Sequence, residues 1–135
     1  DESLDIRIGS QLGVAVGDGT FTSMQNFGGV NSVAAADFNG DSLDDLAVLS
    51  SVNGEIRVSY GRSGGGFSTS TVVGASAGRD NLRSADMNND GRPDLIFSGS
   101  TTDVYLNTES GFSRVSSASV GFYAGGLSGD LNGDG

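Results

Sequence analysis

Four oxygen-bearing side chains recur at matched places in two short stretches of this chain. In residues 37–45 they are Asp37, Asn39, Asp41 and Asp45, and in residues 86–94 they are Asp86, Asn88, Asp90 and Asp94. Counted from the first aspartate, these are positions 1, 3, 5 and 9 of each loop. A spacing of two along a tight turn points successive side chains at one centre. Hard cations such as calcium take roughly six to eight oxygens at about 2.3–2.6 Å, with backbone carbonyls and water filling the places that side chains leave. The pattern therefore points to Ca2+ coordination. A third copy begins at Asp130, Asn132 and Asp134, and Gly135 follows before a ninth position is reached. At the other end, Asp1 and Asp5 match positions 5 and 9. One reading makes Asp130, Asn132, Asp134 and Asp5 a composite metal site, formed where the two ends meet within or between chains. The other makes it a site broken by excision from something longer.

Two other readings of the loops compete. A helix–loop–helix calcium hand needs a carboxylate at position 12 and helices on both sides. Position 12 is Val48 in one loop and Phe97 in the other, and the flanks read as strands. An Asx-rich turn that merely caps its own backbone explains one such loop. Two complete copies at a repeat spacing, with a third begun, favour the metal.

Composition narrows the chemistry further. The 135 residues carry 17 acids against seven basic groups, a net charge of −10, and ten aspartates fall on the loop pattern once the end fragments are included. Gathering them without a counter-ion is repulsive. With no histidine and no cysteine, Ser-His-Asp and Cys-His mechanisms are excluded, as are disulfides and thiolate metal sites. Carboxylate-only hydrolysis of glycosides is chemically open, but most of the acids already have a metal to bind, so the expectation is a protein that is not an enzyme. The absence of a basic patch excludes nucleic acid as a partner. No apolar run reaches the ~18 residues of a membrane span. Weak calcium sites fill where calcium approaches millimolar, which favours an extracellular or cell-surface setting.

The elements that hold these loops are legible as a repeat. Asp37 and Asp86 are 49 residues apart, and Asp86 and Asp130 are 44 apart. Asp45-Leu-Ala-Val-Leu is echoed by Asp94-Leu-Ile-Phe-Ser, and Gly66-Phe-Ser-Thr by Gly111-Phe-Ser-Arg and Gly19-Thr-Phe-Thr. Each unit reads as four strands. The first is rich in small residues and enters the loop. The second leaves it, apolar on both faces (Leu46–Leu49, Leu95–Phe97), as for a strand between layers. The third alternates, with Ile56, Val58 and Tyr60 against Arg57 and Ser59, as for a half-buried strand. The fourth follows a Gly-Phe turn and is polar, as near an edge.

The expected fold class is all-β, with four-stranded antiparallel β-propeller blades, three blades' worth per chain. The boundaries are strands two to four of a blade at 1–29, a blade at 30–77, a blade at 78–124, and at 125–135 the first strand and start of the loop of the next.

The loops Asp-Phe-Asn-Gly-Asp-Ser-Leu-Asp-Asp-Leu and Asp-Met-Asn-Asn-Asp-Gly-Arg-Pro-Asp-Leu, each followed by a strand and a Gly-Phe turn, resemble FG-GAP/VCBS repeats. These are the calcium-binding blades of integrin-type propellers and of many bacterial surface proteins. The resemblance implies side-chain ligands at positions 1, 3, 5 and 9 and a carbonyl ligand at position 7, which is Leu43 in one loop and Arg92 in the other. Ser42 departs from the glycine found as Gly91, and no clear Gly-Ala-Pro segment is present. Propellers of this family usually carry about seven blades.

Three blades do not easily close a ring. A homo-oligomer is therefore expected, with a dimer of six blades favoured, or else the remainder of a larger propeller. The leading functional expectation is a non-catalytic calcium-binding module for extracellular adhesion or protein interaction. A lectin-like propeller is the alternative, and an excised or engineered scaffold without a ligand of its own is a third. For a glycan or acidic ligand, Tyr60, Tyr105, Phe122 and Tyr123 are candidate stacking residues and Arg83 or Arg92 a candidate anion partner. Packing between blades is the favoured role for the aromatics.

Overall fold

Apolar β-branched runs cut by Gly- and Asn-containing turns form strands. In the computed structural model, residues 12–15, 21–25, 29–75, 81–98 and 102–118 are described, and among them there is no helix. Strands β1 (Leu12–Ala15) and β2 (Phe21–Gln25) form an antiparallel pair. Strands β3 (Val30–Ala36), β4 (Asp45–Ser50), β5 (Glu55–Ser59) and β6 (Thr71–Ala75) form an antiparallel sheet in that order. Strands β7 (Asn81–Ala85), β8 (Asp94–Ser98), β9 (Thr102–Thr108) and β10 (Gly111–Ala118) form a second sheet of the same kind. The fragment expected at 125–135 and the segment 1–11 lie outside the described residues.

Register makes the two sheets equivalent. Leu46 faces Ser59 as Leu95 faces Tyr105, and Val48 faces Arg57 as Phe97 faces Asp103. The bridge between Gly61 and Phe67 recurs as Asn107 opposite Phe112, and as Ala15 opposite Phe21 in the β1–β2 pair. Three units are thus built on one template.

Period-two alternation then assigns the faces. Ala34, Ala47, Leu49, Ile56 and Val58 of the first sheet join Leu82, Leu95, Phe97 and Tyr105 of the second in one buried cluster. Side chains as large as Leu49, Ile56 and Leu95 each stabilise the fold by about 1.5–3 kcal/mol when fully buried. The opposite face of the first sheet buries Leu46 and Val48 with Val30, Val33 and Phe67. Both faces of β4 are therefore covered, and so is all of β8. The third strand is half-buried as expected over residues 55–58, with Ile56 and Val58 buried and Glu55 and Arg57 partly exposed, while Ser59 at its end is fully buried. The fourth strand is exposed over Thr71 and Val72, as an edge should be.

Close packing joins the sheets. A Cβ on Gly74 would lie 2.6 Å from Cε1 of Tyr105, so the ring lies directly over β6. That ring also meets Phe97 edge-on, with centroids 5.2 Å apart. The first strands lie side by side, where Leu82 N donates to Ser32 Oγ at 3.0 Å and Ser84 Oγ to the Ala35 carbonyl at 3.4 Å. Asp103, fully buried on the seam, is compensated by Arg114, whose Nη2 is 3.1 Å from both carboxylate oxygens. A buried charge without such a partner would be strongly destabilising.

Candidate metal centre

The two loops share most of their hydrogen bonds, and the first adds one from Gly40 N to Asp37 Oδ1 at 2.6 Å. Asp37 at position 1 accepts from Asp41 N at 3.1 Å and Ser42 N at 2.7 Å, and Asp86 accepts from Asp90 N at 3.2 Å and Gly91 N at 2.7 Å. Asn39 Nδ2 donates to Asp41 Oδ2 at 2.9 Å, and Asn88 Nδ2 donates to Asp90 Oδ2 at 2.9 Å. Leu43 N and Arg92 N donate to the Oδ1 atoms of Asp41 and Asp90, each at 2.9 Å. Two left-handed residues bend each loop: Gly40 (φ 79°) and Ser42 (φ 68°) in the first, Asn89 (φ 57°) and Gly91 (φ 81°) in the second. The glycine thus changes place between positions 4 and 6, and the backbone path is kept.

Position 9 differs in kind from the other three. Asp37, Asn39, Asp41, Asp86, Asn88 and Asp90 lie on the loop surface, whereas Asp45 and Asp94 are completely buried. Asp45 accepts from Phe38 N through Oδ2 and from Gly61 N through Oδ1, both at 2.8 Å. Asp94 repeats this with Met87 N at 2.8 Å and Asn107 N at 2.7 Å. Each buried carboxylate therefore ties the start of its loop to the third strand of its own sheet.

Residues 37–97 match the family model of the FG-GAP-like repeat. This stretch, just under half of the chain, is similar to an FG-GAP-like repeat. No curated protein and no solved structure matched the chain. The FG-GAP-like stretch runs from the first aspartate of one loop to the end of the strand that leaves the other, so both candidate sites lie inside it.

Electrostatics in the repeat follow burial. Desolvation pushes the Asp45 carboxyl above its usual range; the Gly61 and Phe38 amides oppose this, and the charges of Asp41 and Asp37 reinforce it. At position 1, desolvation of Asp37 is outweighed by the combined amides of Ser42, Gly40, Asp41 and Asn39, which hold it below its ordinary value. Asp86 behaves likewise, with the amides of Gly91, Asp90, Asn89 and Asn88 overcoming desolvation.

The side-chain oxygens are turned onto loop amides, and among the described residues no three acidic side chains converge closely enough to cage an ion as they stand. The donor set nevertheless fits a hard cation in its chemistry: it is all oxygen, and the four side chains of each set share one turn. Asp37, Asn39, Asp41 and Asp45, with the Leu43 carbonyl, would hold one ion. Asp86, Asn88, Asp90 and Asp94, with the Arg92 carbonyl, would hold a second. Asp5, Asp130, Asn132 and Asp134 lie outside the described residues.

Other residues singled out from the sequence are placed clearly. Tyr105 is a core residue, and Tyr60 packs against the same cluster. Arg92 pairs with Glu109 at 3.4 Å on the surface. Phe112 packs on the core and meets Phe38 edge-on at 5.7 Å between centroids. Phe122 and Tyr123 are outside the described residues. Asn107 was not singled out from the sequence. Its only signal is a polar residue in register with Asp103 and Tyr105 on a buried face.

Proposed function

We propose that the chain is a non-catalytic, calcium-binding β-propeller module serving adhesion or protein interaction outside the cell. The observation that carries this reading is the duplication of one loop geometry, with eight oxygen-bearing side chains at matched positions and closely similar hydrogen bonds. Selection for an Asx turn alone does not require Asp, Asn, Asp and Asp in both copies. Calcium would replace mutual carboxylate repulsion by coordination and pin an exposed turn, so part of the folding free energy is metal-binding free energy. The extracellular setting follows from the same chemistry, because sites built on short exposed loops load where calcium is plentiful.

Partners are expected to meet the module through surfaces rather than a catalytic cleft. The lectin-like alternative has less support, because two of the four aromatics considered for sugar stacking pack in or against the core. A second copy of the chain is the partner favoured by the repeat: the first sheet's forward face is covered by the second sheet, and the second sheet repeats that face. Equilibrium dialysis against calcium tests the metal reading. Each of Asp37→Ala and Asp86→Ala should remove one bound ion per chain. Uptake unchanged by both substitutions, or no uptake by the parent, would overturn it.

A further inference from the structure

A line of hydrogen bonds, buried except at its last link, runs from one loop to the other. It starts at Asp45 Oδ2, which accepts from Phe38 N at 2.8 Å. The carbonyl of the same Phe38 accepts from Asn107 Nδ2 at 2.7 Å. Asn107 N in turn donates to Asp94 Oδ1 at 2.7 Å, and Asp94 Oδ2 accepts from Met87 N at 2.8 Å. Phe38 and Asn107 are each only 5% exposed, and both aspartates are fully buried. Position 9 of each loop and position 2 of each loop are thus joined across the seam between the sheets by one carboxamide. The Phe38 ring is edge-on to Phe112, 5.7 Å between centroids.

We infer that Asn107 couples the two loops, so that a divalent cation held by one raises the affinity of the other; the inference rests on the calcium reading proposed above. A cation at the first loop fixes the Asp45 carboxylate and with it the Phe38 peptide. The fixed Phe38 carbonyl orders the Asn107 side chain, and the ordered Asn107 amide holds Asp94 where the second loop needs it. Ordering done for the first ion is not repeated for the second, which is positive cooperativity without a change of shape. Coupling is reciprocal, so either loop may be filled first with the same result. The link is specific to this seam. The equivalent residue of the first sheet is Gly61, where a Cβ would come within 2.5 Å of the Asp44 carbonyl. That position supplies the backbone donor to Asp45 but no side chain to reach beyond its own sheet.

Calorimetric titration with CaCl2 tests this on four chains: the parent, Asp37→Ala, Asp86→Ala, and Asn107→Gly. Asn107→Gly copies the residue found at the equivalent place and keeps the amide that Asp94 uses. In the parent, the product of the two binding constants should exceed the product from the single-loop chains by about fivefold or more, the low end of measured couplings. The same comparison made with Asn107→Gly introduced into all chains should give a ratio near one. Independent sites in the parent would overturn the coupling and leave the calcium reading intact. A coupling that survives Asn107→Gly would overturn the role of Asn107. Absence of calcium binding in the parent would remove the calcium reading first and this inference with it. Should Asn107→Gly fail to fold, the Asn107 side-chain amide resonance in Asp86→Ala decides the matter. It should shift in step with filling of the first loop, and a signal that stays still contradicts the link.

Discussion

Ser42 holds a φ of 68° where the second loop has Gly91 at 81°. A side chain in that region is strained by roughly 1–2 kcal/mol, and the Ser42 amide, not its hydroxyl, is what Asp37 uses. Ser42→Gly should therefore stabilise the protein by about 1 kcal/mol, read as a higher urea midpoint at unchanged slope. A midpoint that stays or falls would show that the serine side chain has a role the loop geometry does not reveal. At this scale the ligand candidates were legible because coordination imposes a short sequence spacing. Asp37, Asn39, Asp41 and Asp45 carry the pattern within nine residues. Asn107 was not legible, because its partners Asp94 and Phe38 are distant in sequence and meet it only when two sheets stack.

Among the elements, strands β4 and β8 were read correctly as covered on both faces, since an unbroken apolar run leaves no side for water. Strand β5 was read as half-buried and is so over residues 55–58, with Ser59 buried at its end. Alternation cannot distinguish a solvent face from a second, less apolar interface. The forward face of the second sheet has the same character. Met87 stands where Phe38 stands in the first sheet, yet it is 51% exposed against 5%. Val104 is half-buried where the matching Val58 is fully buried. With Leu106, also half-buried, they mark the face equivalent to the one on which the first sheet seats the second. If a second copy seats here, light scattering should give a mass twice that of the 13.6 kDa chain. Val104→Arg should return it to the single-chain mass. A parent that is already a single chain, or a dimer indifferent to Val104→Arg, would contradict seating at this face.

For the molecule as a whole, charge and fold have to be explained together. A net charge of −10 on 135 residues is self-repelling, and seven of the 17 acids stand in the loops at 37–45 and 86–94. The all-β class, the repeat spacing and the FG-GAP-like character were legible because a repeat states the same local solution more than once. How the sheets stack was not, since the seam depends on single residues such as Gly74 beneath Tyr105, whose pairing no local pattern announces. The central claim is that bound calcium is part of what holds this fold. At a free concentration a hundred times the dissociation constant, one site adds about 2.7 kcal/mol. Thermal unfolding in millimolar calcium and in EDTA, at matched ionic strength, measures this directly. The melting temperature should be higher in calcium by at least about 5 °C, and equal melting temperatures in the two buffers would contradict the account.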